Sequence, residues 1–128
     1  MTNPAGYTHL PTTARERALT DARTQVEHAT RRYAQLHAAE AGIAARAVHP
    51  AVGRLTFRVT ADIFGTSATL VAAHTHRGRR LWHIDTSDEW PDESLVTDHL
   101  AAAADWCPTT FQTVEHDGAR LYVLNLDD

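Results

Sequence analysis

Residues 53–85 carry the pattern that most constrains the fold, because they predict three consecutive antiparallel strands. From Arg54 to Ile63 apolar and polar side chains alternate without a break, which is the period of a strand with one buried face. The inward set is Leu55, Phe57, Val59, Ala61 and Ile63. Turn-forming residues at 64–67 and 77–79 separate this strand from two further extended runs. We therefore expect a three-stranded meander.

A long helix is predicted ahead of the meander, from the residues that follow Pro11 to about Ala45. This stretch is rich in Ala, Arg, Glu and Gln and has no proline, and Thr13 followed by Glu16 fits a capping box at its start. Residues 1–11 have no periodicity and are expected to form a flexible tail. A single domain over residues 12–128 would then follow.

At three-four spacing the helix carries an apolar stripe that is interrupted only by Glu40. Its members are Leu19, Ala22, Val26, Ala29, Tyr33, Leu36, Glu40 and Ile43. A helix of about 30 residues is about 45 Å long, which exceeds the width of a domain of this size. Either the helix breaks near Gly42, or it lies on its own sheet and frays at its end, or one end packs on a partner. We expect a homo-oligomer or a complex with another protein. The expected interface residues are Leu19, Val26, Tyr33 and Leu36.

A second helix is predicted after the meander, because Pro91 suits a first helical position and four nearby acids suit the positive end of a helix dipole. The helix should run to about Trp106 and end at Cys107, which precedes a proline. Its expected inner residues are Leu95, Val96, Leu100, Ala103 and Trp106. Trp90 is expected to be exposed and available to a partner protein.

A final hairpin is predicted around Asp117-Gly118, a strong turn signal between two extended runs. The expected fold class is therefore α+β. A long N-terminal amphipathic helix and a shorter second helix would pack on a mainly antiparallel sheet of about five strands, in the order α-β-β-β-α-β-β.

Composition narrows the setting of this fold. The chain has 128 residues, of which 43% are apolar, enough for one core. Cys107 is the only cysteine, so no intramolecular disulfide is expected, and the N-terminal residues have no signal-peptide pattern. No apolar run approaches the roughly 20 residues that cross a bilayer. These features predict a cytoplasmic protein without membrane contact.

Charge is divided unevenly along the chain. Residues 1–60 hold eight Arg and four acids, whereas residues 61–128 hold four Arg and twelve acids. An alternative function is therefore nucleic-acid binding through the polar strand face, where Arg54 and Arg58 lie. The acidic half repels phosphate, so we expect no tight binding of duplex DNA or RNA.

The histidines give a second alternative, a small-molecule or metal-binding enzyme. His74 and His76 share one face of a strand, and a turn at Gly78-Arg79 would bring His83 opposite His74. Three imidazoles can bind zinc or copper. A turn one residue earlier pairs His76 with Arg79 and scatters the three rings, and the sequence leaves both registers open.

No motif names a reaction. Cys107 with His99 is the only thiol and base pair worth considering, and Asp98 cannot orient His99 because adjacent helical residues face apart. Phosphate-binding glycine loops and zinc-helix motifs are absent. We expect no catalytic residue and no cofactor. The expected function is that of a non-catalytic binding or assembly protein, rather than an enzyme, that acts through contacts of its long helix.

Overall fold

The computed structural model describes residues 4–126. The elements are, in chain order, α1 (Pro4–Thr8), α2 (Thr12–Val48), β1 (Arg54–Asp62), β2 (Gly65–His74), β3 (Arg80–His83), α3 (Ser94–Trp106), a short 3-10 turn (Pro108–Thr110), β4 (Gln112–His116) and β5 (Ala119–Asn125). The predicted fold class is confirmed, with a long helix, a shorter helix and a five-stranded antiparallel sheet in the expected order.

Contacts divide the chain into two compact units, one up to Thr30 and one from Arg31 onward. The first unit contains α1 and the first part of α2. α1 lies within residues 1–11, which were expected to form a flexible tail. Here the Tyr7 hydroxyl donates to the Arg15 carbonyl at 3.3 Å. The second unit contains the sheet, α3 and the last part of α2.

The sheet has the strand order β3-β2-β1-β5-β4, and each neighbouring pair is antiparallel. Leu55 and Phe57 of β1 lie opposite Ala73 and Leu70 of β2, and all four are fully buried. They share the core with residues of α2 and α3. The alternate side chains of the strands form the other face, which we call the open sheet face, and Arg58 is exposed there.

The part of α2 in the second unit is buried through its smallest residues. These are Ala34, Ala38, Ala41, Gly42 and Ala45. A Cβ atom added at Gly42 would lie 2.7 Å from Cδ2 of Leu126, so glycine lets that side chain approach the helix. The alternative of a helix break near Gly42 is excluded, because α2 continues to Val48.

The β1–β2 hairpin corrects part of the predicted strand. β1 ends at Asp62, and Ile63 and Phe64 form a two-residue turn before Gly65, whose φ is 121°. Ile63 is 93% exposed and Phe64 is 91% exposed. The inward placement of Ile63 is wrong because the turn removes it from the strand alternation, and Ala61 is exposed as well.

α3 begins at Ser94, later than predicted, so Pro91 is not its first residue. Val96, Leu100 and Ala103 are buried as predicted. Two other predicted inner residues, Leu95 and Trp106, are exposed, because the buried stripe of α3 extends toward Thr97, Ala101 and Ala104 instead.

The C-terminal hairpin forms around the predicted turn. Asp117 and Gly118 have φ values of 51° and 76° and connect β4 to β5. These positive φ values are those that a tight type I′ turn requires.

Candidate functional site

In the second unit the predicted heptad stripe lies on the side of α2 away from its buried alanines, and we call the whole stripe the outer face of α2. Its large apolar side chains are between 46% and 64% exposed. They are Leu19, Val26, Tyr33, Leu36 and Ile43. α2 therefore has two apolar sides: a narrow alanine side that packs in the core of the second unit, and a side with larger residues that faces solvent.

In the second unit an aromatic cluster joins the outer face of α2 to α3. The rings of Tyr33 and Trp106 meet edge to face with centroids 5.3 Å apart. Nδ1 of His37 and Nδ1 of His99 are 2.9 Å apart, so one ring must donate the hydrogen and the other accept it. Trp106 is 56% exposed, so it enlarges the apolar surface around Tyr33.

Trp90 does not contribute to any surface, and its predicted exposure is wrong. It is 2% exposed, and its ring meets Trp82 edge to face at 5.4 Å and His49 at 5.0 Å. Asp88, Glu89 and Asp92 are exposed, whereas the large apolar indole of Trp90 fills the core.

A row of polar side chains crosses the open sheet face. Arg54 of β1 lies directly opposite His74 of β2, which lies opposite Arg80 of β3, and Arg54 also lies opposite Asn125 of β5. We call Arg80, His74, Arg54 and Asn125 the cross-strand row. Burial lowers the pKa of His74 from its ordinary value of 6.5, and the positive charges of Arg54, Arg80 and His83 lower it further.

The three histidines of the metal alternative do not form one site. A register shift between Ala73 and His74 places His83 opposite Ala72, so the alternative register that pairs His83 with His74 does not form. The ring of His76 packs against Gly53, and its Nε2 lies 3.3 Å from an Arg46 nitrogen. Within residues 4–126, no three His, Cys, Asp or Glu side chains are close enough to hold a metal ion.

Cys107 lies at the end of α3 and is separate from the histidine considered as its base. Its Sγ is 3.3 Å from the Thr109 hydroxyl. Hydrogen bonds from Thr109 and Thr110 lower the pKa of the thiol, burial raises it, and the charge of Arg31 lowers it. His99 is instead bonded to His37, so these residues form no thiol-imidazole pair.

Comparison with protein-family models, with curated proteins and with solved structures gives no match for this chain. Among the described residues, no helix is both long enough and apolar enough to cross a membrane.

Proposed function

We propose that this protein is a non-catalytic assembly protein that pairs with a second copy of itself through the outer face of α2. The observation that carries the proposal is the exposure of an unbroken series of heptad positions along a 37-residue helix. In the first unit α2 has no buried residue. Isolated helices are marginal in water and gain most of their stability from packing an apolar side, which a second helix would supply.

Glu40 favours a second copy in the antiparallel direction. In a parallel pair in register, Glu40 would face Glu40 of the second copy, and two carboxylates at a buried position repel each other. In an antiparallel pair with Leu36 opposite Val26, Glu40 falls opposite Ala22, next to Arg23. The carboxylate then has room and a guanidinium partner.

The apolar area supports a reversible pair. Complete burial of a Leu, Val or Ile side chain contributes about 1.5–3 kcal/mol, so covering the exposed half of one side chain contributes about 1 kcal/mol. Five large side chains from each copy then contribute about 10 kcal/mol, against an association cost of about 4–15 kcal/mol. We therefore expect pairing that depends on protein concentration.

Sedimentation equilibrium of the full chain tests the proposal. From about 5 to about 200 µM protein, the mass should rise from 14.1 kDa toward twice that value. A mass of 14.1 kDa at every concentration would refute self-assembly.

A further inference from the structure

The cross-strand row on the open sheet face points to a second binding site, and we infer that it binds a phosphoryl group. The site is built from Arg80, His74 and Arg54 on three adjacent strands, independently of the outer face of α2. No comparison and no feature of the self-assembly surface assigns a ligand to it.

The spacing of the row suits a tetrahedral oxyanion. Neighbouring strands are about 4.8 Å apart, so the backbones of Arg54 and Arg80 are separated by about 10 Å with His74 midway. Two arginine side chains can bend across such a gap and donate several N–H groups to the same phosphoryl oxygens. Asn125 extends the row on the next strand, where its amide donates a hydrogen bond to Gln112 at 3.1 Å.

Among the described residues, the charges of the row have no counterion. Within residues 4–126, no salt bridge or side-chain hydrogen bond engages Arg54 or Arg80. The charged groups that act on His74 are Arg54 from β1 and Arg80 and His83 from β3, and none of them is a carboxylate. Asp85 lies 4.0 Å from Nδ1 of His83, on the β3 side of the row. An anion above the row would relieve this repulsion.

His74 has an unused polar atom at the centre of the row. Its Nδ1 is buried and has no hydrogen-bond partner. Leaving a buried polar atom unpaired is costly, and a neutral imidazole that takes up a proton becomes a donor at both nitrogens. The negative charge of a phosphoryl group bound beside the ring should favour the protonated imidazole, and by linkage the affinity should increase as the pH falls.

The probe for a first test is inorganic phosphate, titrated into the full chain near neutral pH at constant ionic strength and followed by NMR of the His74 ring. Saturable shifts should appear, and the midpoint of the His74 titration should move upward relative to chloride. Arg54→Gln and Arg80→Gln should each weaken phosphate by about tenfold, the loss of a charge-assisted interaction. Arg58→Gln is the matched control, because Arg58 lies on the same strand and face but opposite Thr69, outside the row.

A single-stranded RNA oligonucleotide distinguishes a free phosphorylated molecule from a phosphate of a nucleic-acid backbone. If the source is a backbone, the oligonucleotide should bind more tightly than phosphate, and Arg58→Gln should weaken it too. If the source is a small molecule, the oligonucleotide should bind no more tightly than phosphate, and Arg58→Gln should change the affinity for neither ligand. Phosphate shifts that do not saturate, that equal those in chloride, or that persist in both row variants would overturn the inference.

Discussion

Replacing Val26 and Leu36 by aspartate should separate the proposed pair without unfolding the chain. In the antiparallel arrangement the two positions face each other, so a pair would contain four new carboxylates. Each loses about 1 kcal/mol of apolar burial and adds the cost of an unpaired charge in an apolar contact. At about 2 kcal/mol for each of the four substituted side chains, the pair loses about 8 kcal/mol of association free energy. Each 1.4 kcal/mol raises the dissociation constant about tenfold.

The double variant should therefore sediment as a monomer throughout the concentration range in which the wild type pairs. Both positions are more than half exposed in a single copy, so the far-UV circular dichroism of the sheet should persist. Thr24→Asp with Gln35→Asp is the matched control, since it adds the same charge to exposed positions of α2 outside the heptad stripe. The reasoning fails if the control variant dissociates as readily as the heptad variant, or if neither changes the measured mass.

Three further predictions concern the second unit. Gly53→Ala should lower the free energy of unfolding by about 1–3 kcal/mol in urea, because its Cβ would lie 2.6 Å from the backbone nitrogen of His76; an unchanged midpoint would contradict this close approach. Trp90→Ala should cost about 3–5 kcal/mol in the same assay, whereas an exposed tryptophan would cost little. His74 has a lowered pKa in the folded state, so the unfolded chain binds its proton more readily and wild-type stability should fall as the pH drops below 6.5. In phosphate-free urea titrations, His74→Gln should lose less stability than the wild type between about pH 7 and about pH 5, and equal losses would contradict the shift.

Strands and turns were predictable where periodicity and turn chemistry agree. The alternation that places Leu55 and Phe57 inward is confirmed, and so is the turn at Asp117-Gly118. These signals are local, since each depends on a few adjacent residues whose backbone preferences and burial point the same way. The order of elements follows from them.

The buried side of α2 could not be predicted from hydrophobicity. Alanine contributes little apolar area, so the series that includes Ala34 and Ala41 has a weaker signal than the heptad stripe with Leu36 and Ile43. Close approach of a helix to a sheet nevertheless favours small side chains. The larger residues were correctly grouped by their spacing, but only the structure shows that they face solvent.

The cross-strand row was hidden by irregular registers. Shifts between Thr56 and Phe57 and between Ala73 and His74 change which residues lie opposite each other. Such bulges add a residue to one strand and leave no clear mark in the pattern of side chains. The sequence therefore left open whether His83 lies opposite His74, and Arg80 occupies that position.

Disulfide trapping between two differently labelled chains tests the outer face of α2 most directly. In a Cys107→Ser background, chains with Val26→Cys are mixed with chains with Leu36→Cys and oxidised gently. The antiparallel pair predicts a mixed disulfide dimer in higher yield than either chain forms with itself, and higher than a mixture that uses Gln35→Cys instead of Leu36→Cys. Mixed dimer at or below the yield of that control would contradict pairing through this face.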